Sequence, residues 1–303
     1  MKILLTGGAG FVGSNIYNAL KDEYDVWVVD NLTFGDSRNI EINPKWLKDK
    51  IPVRFKADFN DLRDYVLNSF DILIHCATIN IEYAMKEPIE TFKVNALNTI
   101  KLFERFKGKI IYTSTASVYG NAAELPTKEC APDNVSNAYD QSKLIAEHYL
   151  QLRGNYTTLR LSNVYGINQR PDKDIVGVVG KFVDSILNNK PVTIYGDGKD
   201  TRDYTYVSDV VRAVEMCVEQ KAKNKEYNIS GGDELSILSL AKKIGYLANQ
   251  PVNLEYVKSR KIDKINRRLL DTTLAQEELG WHPLIGINKG LEKTIFWQRK
   301  EYR

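Results

Sequence analysis

Short hydrophobic runs alternate with longer amphipathic stretches through the first half of the chain. The hydrophobic runs predict six strands, at 2–5, 26–29, 53–56, 72–75, 109–113 and 157–161. Between them, hydrophobic residues at helical spacing predict helices over 11–20, 61–68, 88–106 and 137–152. Strands and helices that alternate in this way build a parallel sheet through right-handed crossovers. The pattern therefore predicts an α/β fold with a doubly wound parallel sheet.

The regular alternation loosens after Asn163, where a polar loop at 166–174 precedes a mixture of helices and short strands. Helices are predicted over 176–188, 208–220, 236–249 and 284–297, with Ser208 or Asp209 as the N-cap of the second. We expect a larger domain over 1–163 and a smaller mixed α/β lobe over 164–303, with some chain crossing back to the larger domain.

A glycine-rich turn joins the first predicted strand to the first predicted helix. Gly7, Gly10 and Gly13 give it the spacing GxxGxxG. Such a turn brings backbone N–H groups and the positive end of a helix up to a pyrophosphate, where a side chain would collide. A glycine-rich turn without a ligand is the alternative, but the strand and helix on either side favour a bound dinucleotide. The fold is accordingly expected to be of the Rossmann type.

Asp30 ends the second predicted strand, about 20 residues beyond the glycines. A carboxylate at this position accepts hydrogen bonds from the adenosine ribose, whereas a 2′-phosphate would meet a like charge. Asp30 therefore favours NAD over NADP. The alternative is that Asp30 is only a solvated strand end.

Composition narrows the classes of partner. Lys and Arg number 42 against 39 Asp and Glu, a net charge of +3, and no dense basic run interleaved with aromatic residues suggests nucleic acid. Three cysteines without CxxC spacing and three scattered histidines favour reduced thiols and no metal site. No signal peptide and no apolar window of ~20 residues are present, so we expect a cytoplasmic protein without a membrane segment.

Tyr139 and Lys143 form a YxxxK pair at the start of a predicted helix. A step of four residues places the phenol and the ammonium on one helix face. A free tyrosine has a pKa of ~10 and is a poor base, but a neighbouring positive charge stabilises the phenolate. Such spacing also arises by chance, as a surface tyrosine with a lysine one turn away, so the interpretation depends on its context.

That context is a series of motifs in order along the chain, in which Thr115 follows a predicted buried strand. They read TGGAGFVG, DNLTFG, ADFND, HCAT, STASVYG, YDQSK and LRLSNVYG. With them the chain resembles the extended short-chain dehydrogenase/reductase family, and within it the nucleotide-sugar epimerases and dehydratases. The likeness covers nearly the whole chain.

The resemblance implies roles for named residues. Thr115, Tyr139 and Lys143 would be the catalytic triad. The implied NAD-binding residues are Gly7, Gly10, Phe11, Val12, Gly13, Asp30, Asn31, Asp58, Phe59, Cys76, Ala77, Thr78, Asn95, Tyr139 and Lys143. The implied residues for a nucleoside diphosphate sugar, a UDP-hexose above all, are Thr115, Asn163, Arg202, Arg260, Asp263 and Arg268. Arginine suits phosphate because its planar fork binds two oxygens at once.

Two residues between Thr115 and Tyr119 distinguish the reactions of the family. Ala116 and Ser117 stand where the dehydratases and decarboxylases resembled carry acidic residues, and neither can supply the acid or base that elimination needs. The segment most resembles UDP-galactose (UDP-glucose) 4-epimerases, which implies epimerisation at C4 through a transient 4-keto sugar.

Two alternatives stay open. Thr78 and Asn98 depart from the family pattern near the expected sugar pocket, so a one-way NAD-dependent 4-keto-sugar reductase or dehydrogenase is the second hypothesis. An NAD-binding regulatory or scaffold protein is the third, although such proteins commonly lose the catalytic residues that this chain keeps.

The helices predicted over 88–106 and 137–152 occupy the positions that resemble the family's dimer seam. We therefore expect a homodimer. The alternative is that their hydrophobic residues only face the sheet.

Overall fold

The computed structural model describes residues 1–41, 53–172, 177–221, 223–260 and 265–302. Its strands are β1 Lys2–Thr6, β2 Asp25–Asp30, β3 Val53–Phe55, β4 Ile72–His75, β5 Lys109–Thr115, β6 Tyr156–Leu161, β7 Asn163–Tyr165, β8 Val192–Tyr195, β9 Thr201–Tyr206, β10 Glu226–Ile229, β11 Asp233–Ser236 and β12 Leu254–Val257. Its α-helices are α1 Phe11–Leu20, α2 Asp64–Leu67, α3 Ile81–Ala84, α4 Pro88–Thr91, α5 Thr99–Arg105, α6 Ala138–Arg153, α7 Val178–Leu187, α8 Val207–Glu219, α9 Ile237–Ala248, α10 Thr273–Leu279 and α11 Ile287–Tyr302.

The main sheet has seven strands in the order β10-β6-β5-β4-β1-β2-β3. The neighbouring pairs from β3 to β5 are parallel, and Thr6 of β1 aligns with Val29 of β2 and His75 of β4. This confirms the predicted Rossmann-like doubly wound fold. Because the strands run in one direction, the residues that follow β1, β2, β4 and β5 meet at one edge of the sheet.

The hydrophobic runs of β1, β4 and β5 are buried as the pattern requires. Leu4, Leu73 and Ile110 of three neighbouring strands belong to one cluster of buried side chains with Phe103 of α5 and Leu150 of α6. Nonpolar surface removed from water contributes about 25 cal/mol per Å² to folding. This core holds the strand ends and the helices that begin beside them in fixed positions.

The helix predicted over 61–68 is wrong in extent. The structure has a 3-10 turn at Phe59–Asp61 and the four-residue helix α2 instead. Asp58 caps the turn, because its carboxylate accepts a hydrogen bond from the Asn60 N–H at 2.8 Å. Leu62 then has an extended backbone and buries its side chain, which separates the two short elements.

The helix predicted over 88–106 forms, but not as a regular α-helix. A π-helical segment, Phe92–Asn98, lies between α4 and α5. The Thr99 hydroxyl donates to the Val94 carbonyl five residues earlier, at 3.1 Å. The helical run ends at Arg105, because Phe106 has an extended backbone.

The predicted N-cap of α8 is also wrong, because the helix begins at Val207 and includes Ser208 and Asp209. The Asp209 carboxylate accepts hydrogen bonds from the N–H groups of Leu284 and Ile285, each at 3.0 Å. These bonds hold 284–285 outside the helix expected from 284, and α11 starts at Ile287. For the helix expected over 176–188, residue 176 lies outside the described residues.

Contacts within the chain define two compact units. The first comprises 1–118, 136–160 and 211–227, and the second comprises 119–135, 161–210 and 228–303. The second contains a three-stranded sheet, β11-β9-β7, and the pair β12-β8. The division into an NAD-binding domain over 1–163 and a substrate-binding lobe over 164–303 stays a prediction.

Candidate active site

The glycine turn after β1 is too tightly packed to accept side chains. A Cβ on Gly7, whose φ is +71°, would lie 2.5 Å from the backbone nitrogen of Ala77. A Cβ on Gly13 would lie 2.2 Å from the carbonyl oxygen of Gly7. Gly10 is the N-cap of α1, and within the described chain no side chain caps this end and no acidic residue stands in its first turn. Phe11, Val12 and Gly13 form that turn, whose N–H groups suit an anion.

Asp30 is buried at the end of β2, and its carboxylate is already oriented. Its Oδ2 accepts from the Ala9 N–H at 2.9 Å and its Oδ1 from the Leu32 N–H at 2.8 Å. Burial raises the pKa of Asp30, and the two backbone hydrogen bonds oppose that rise. The bond to Leu32 also ties the loop that follows to the strand, and Asn31 of this loop is exposed.

A cavity within the first unit gathers many of the predicted cofactor residues. Its walls include Gly7, Gly10, Asp30, Asn31, Asp58, Phe59, Cys76, Ala77 and Thr78. These residues come from the ends of four strands of one parallel sheet. The glycine cradle, the uncapped helix and the oriented carboxylate together fit a dinucleotide such as NAD.

Other walls of this cavity were not predicted from the sequence. They are Val29, Thr33, Phe34, Gly35, Ala57, Ile79, Tyr83, Glu90 and Val94. Phe34 and Tyr83 meet edge to face, with ring centroids 5.3 Å apart. Phe34 belongs to the DNLTFG motif and Tyr83 to none of the motifs, so no local pattern indicates their contact.

Asn95 stabilises the loop that follows β4. Its amide clamps the backbone of Ile79, accepting from the N–H at 2.7 Å and donating to the carbonyl at 2.9 Å. It is buried in the π-helical segment and is not among the cavity walls. Asn95 therefore fixes the loop that carries Thr78, and direct contact with the cofactor stays a prediction.

Thr115 ends β5 and is half-buried. Its hydroxyl lies 2.7 Å from the Ser117 hydroxyl and accepts from the Ser117 N–H at 3.1 Å. These contacts orient the Thr115 oxygen at the carboxyl edge of the sheet. Ala116 is fully buried. Neither Ala116 nor Ser117 has a carboxylate to place at this edge.

Tyr139 and Lys143 lie one turn apart on α6, as the spacing predicts. Asn137 caps this helix by accepting from the Asp140 N–H at 3.0 Å. Tyr139 is half-buried in the first turn, whereas Lys143 is buried, with its Nζ 4.2 Å from the ring centroid of Tyr112. Burial lowers the pKa of Lys143 to about 7, although the negative charge of Glu147 opposes the fall.

Four of the predicted substrate residues, Asn163, Arg202, Arg260 and Arg268, belong to the second unit, and Thr115 belongs to the first. Asn163 begins β7, and its buried Oδ1 accepts no hydrogen bond from the described residues. Arg202 on β9 is half-buried and donates to the Thr201 carbonyl at 2.8 Å. Arg260 is exposed and stacks on Tyr195, with its Cζ 4.3 Å from the ring centroid.

Arg268 and Asp263 are the two remaining residues that the resemblance implies for substrate binding. Arg268 is half-buried and lies near the buried carboxyl group of Asp203. Burial raises the pKa of Asp203 to about 6, and the positive charge of Arg268 opposes this rise. Asp263 lies outside the described residues. Contact of any of these residues with a substrate stays a prediction.

Among the described residues, no group of His, Cys, Asp and Glu side chains is arranged to hold a metal ion. None of the helices in this part of the chain is both long enough and apolar enough to cross a membrane.

Comparison with known proteins gives a consistent set of matches. Residues 3–230 match the model of the NAD dependent epimerase/dehydratase family. A putative UDP-glucose 4-epimerase from Methanocaldococcus jannaschii is 36% identical over 314 residues, covering 99% of each chain. UDP-glucuronic acid decarboxylase 1 from Arabidopsis thaliana is 30% identical, covering 97% of this chain and 69% of the plant protein.

A solved structure agrees with these matches. The crystal structure of the UDP-glucose 4-epimerase from Thermotoga maritima, determined with UDP-glucose, has a TM-score of 0.89 and 31% identity over 100% of both chains.

Proposed function

Since the chain belongs to the NAD-dependent epimerase/dehydratase family and is an enzyme of that family, we propose that it epimerises a UDP-hexose at C4. The observation that carries this proposal is the combination of an intact Thr115, Tyr139 and Lys143 with Ala116 and Ser117 between them. The named activities of the relatives from M. jannaschii and T. maritima support the choice of UDP-glucose and UDP-galactose as substrates.

NAD is the cofactor of this family, and the first unit offers the residues to hold it. The N–H groups at the start of α1 would bind the pyrophosphate, and Asp30 would bind the adenosine ribose. Asp58, Phe59 and the loop 76–78 would line the rest of the cofactor. When bound, NAD supplies a hydride acceptor for C4 that also returns the hydride to either face of the keto carbon.

Tyr139 is the proposed acid and base. Its phenolate would take the proton of the C4 hydroxyl as the keto group forms, and its phenol would return the proton when the hydroxyl is restored. The Lys143 ammonium would favour the phenolate through its positive charge. The Thr115 hydroxyl would donate a hydrogen bond to the C4 oxygen and keep it within reach of Tyr139.

The same residues argue against elimination and decarboxylation. Elimination of water needs an acid and a base in addition to the Tyr139 phenol. Ala116 has no ionisable group, and the Ser117 hydroxyl is buried against Thr115. The decarboxylases that the chain resembles also carry an acidic residue in this segment, so its absence here separates the proposed activity from that of the relative in A. thaliana.

A 4-keto-sugar reductase is the second candidate, because Thr78 lines the cavity at a position that departs from the family pattern. The two reactions differ in their balance. An epimerase leaves the amount of NADH unchanged, whereas a reductase consumes one NADH for each sugar.

A substrate panel tests the proposal. Purified protein with NAD is incubated with UDP-glucose, UDP-galactose, UDP-glucuronic acid and dTDP-glucose, and the products are followed by NMR together with absorbance at the NADH band. We expect interconversion of UDP-glucose and UDP-galactose without net NADH. A pentose product, a 4-keto-6-deoxy sugar or stoichiometric NADH change would reject the epimerase.

We also propose a homodimer formed through α6 and the helical run from α4 to α5. Several hydrophobic residues of these helices face solvent: Ile89 is 80% exposed, Leu97 51% and Leu152 87%. Exposed hydrophobic residues on neighbouring helices are typical of an interface. Burial against the sheet explains Leu144 of α6, which is buried, but not these three residues.

Ile89→Asp combined with Leu97→Glu is expected to convert the dimer to a monomer, because charges would be buried at the interface. Sedimentation velocity of the wild type and the variant measures the change. Phe296→Asp is the matched control, since Phe296 on α11 is 70% exposed and outside these helices. A wild type that sediments as a monomer would refute the dimer, as would a double variant that remains dimeric.

A further inference from the structure

Glu147 is a fully buried carboxylate on the helix that carries the predicted catalytic residues. It lies one turn beyond Lys143 and is 0% exposed. Its Oε2 accepts two bonds from Arg160 of β6, from Nε at 3.0 Å and from Nη2 at 2.7 Å. Its Oε1 accepts a hydrogen bond from the Ser114 hydroxyl of β5. A carboxylate with three donors is strongly held in place.

These bonds join three elements at the predicted active site. Ser114 directly precedes Thr115, so one oxygen of Glu147 is tied to the strand end that presents the Thr115 hydroxyl. The other oxygen ties α6, with Tyr139 and Lys143, to β6. The spacing between Thr115 and the two helix residues therefore depends on this carboxylate. Misplacement of a catalytic group by about 1 Å can cost roughly a hundredfold in rate.

The charge of Glu147 also acts on Lys143. Three elements bring titratable or aromatic groups to Lys143: His75 and Cys76 lie at the end of β4, Tyr112 on β5 and Glu147 on α6. His75 is buried between the hydroxyls of Thr6 and Thr99, and its pKa lies well below the usual value because of burial and the Lys143 charge. Burial raises the pKa of Cys76 to about 11, so the thiol is neutral near pH 7. Burial raises the pKa of Glu147, and the charge and hydrogen bonds of Arg160 together with the Ser114 hydroxyl oppose that rise. Among the groups just named, Glu147 is therefore the one whose negative charge favours the ammonium.

We propose that Glu147 is a positioning residue for the reaction, which fixes Thr115 against α6 through Ser114 and keeps Lys143 protonated in its buried site. Its effect on turnover rests on the proposed function. The hydrogen bonds described above join Glu147 to Ser114 and Arg160, and none of them leads directly to the predicted NAD or UDP-hexose. It acts through Ser114 and Lys143.

The competing explanation is that Glu147 and Arg160 form a purely structural ion pair. Replacing both members of a buried pair by neutral residues is often tolerated, whereas removing one leaves an uncompensated charge. A double substitution therefore separates the two explanations, because it removes the charge of Glu147 without leaving Arg160 unpaired.

The test variant is Glu147→Gln with Arg160→Met, in which the amide oxygen still accepts from Ser114. The protein, saturated with NAD, carries lysine labelled with ¹³C at Cε, and Lys143→Arg assigns the Lys143 resonance. We expect the pKa of Lys143 to fall by roughly one pH unit in the double variant. This titration needs no substrate, so it remains informative if UDP-hexose epimerisation is not the activity.

Lys109→Met is the matched control. Lys109 lies on β5, the strand that carries Ser114 and Thr115. Its ammonium donates to the backbone carbonyls of Cys217 and Gln220 at the end of α8. Its loss should lower stability and leave the titration of Lys143 unchanged. An unchanged pKa of Lys143 in the double variant, or an equal fall in Lys109→Met, would overturn the electrostatic part of the proposal.

Glu147→Asp tests the positional part and serves if the double variant does not fold. It keeps the charge and the Arg160 partner but shortens the reach toward Ser114 by one methylene. We expect a fall of about tenfold in kcat with little change in KM and in the pKa of Lys143, because the geometry of the reacting groups alone is disturbed. A wild-type kcat in Glu147→Asp would contradict positioning through Ser114.

Discussion

Tyr139→Phe is expected to lower kcat by roughly a thousandfold, in the range that loss of a general acid and base produces. Phenylalanine keeps the ring on α6 and removes the oxygen that would exchange a proton with the C4 hydroxyl. NAD binding should change little, since the glycine turn and Asp30 lie in other elements. Coupled turnover assays and NAD titration by fluorescence would measure the two effects separately.

Tyr149→Phe is the matched control for this variant. Tyr149 lies on the same helix, and its hydroxyl donates to Glu104 on α5. Its loss removes one hydrogen bond at the surface of the helix, and turnover should remain near wild type. Turnover near wild type in Tyr139→Phe would reject Tyr139 as the acid and base.

Gly13→Ala is expected to abolish NAD binding and to destabilise the fold by about 3 kcal/mol, the upper range for overpacking a closely packed site. The new Cβ would lie 2.2 Å from the Gly7 carbonyl oxygen and 2.8 Å from the Gly8 Cα. Both are backbone atoms of the turn, so the turn itself must move. Because that turn presents the start of α1, its displacement removes the pyrophosphate site together with the packing.

Thermal unfolding and NAD titration by calorimetry measure the two consequences. Gly286→Ala is the control, since a Cβ there has no atom within 4 Å and the glycine has no left-handed backbone. It should unfold and bind NAD like the wild type. A Gly13→Ala protein with unchanged NAD affinity would contradict the assignment of this turn to the cofactor.

Local patterns single out many of the residues that the structure gathers in the walls of one cavity. The glycine spacing, the hydrophobic runs and Asp30 each depend on residues that are close in sequence. Parallel pairing then brings the strand ends together, because all of these strands run in one direction. The YxxxK pair is equally local, since four residues make about one helical turn.

Features that depend on contacts between distant residues were not predicted. The start of α11 is set by Asp209, some seventy-five residues earlier, through the N–H groups of Leu284 and Ile285. At the π-helical segment, the Thr99 hydroxyl donates a hydrogen bond to the Val94 carbonyl, and the spacing of hydrophobic residues does not predict such a bond. In the sequence, Glu147 does not differ from other acidic residues of the predicted helices. Its burial against Arg160, which the structure shows, distinguishes it from them.

The measurement that tests the central claim most directly is the fate of deuterium at C4. UDP-galactose labelled with deuterium at C4 is incubated with the NAD-loaded enzyme in ordinary water, and the UDP-glucose formed is analysed by NMR and mass spectrometry. Transient oxidation at C4 predicts UDP-glucose that keeps the deuterium at C4. Loss of the deuterium to water, or a failure to form UDP-glucose, would contradict the account.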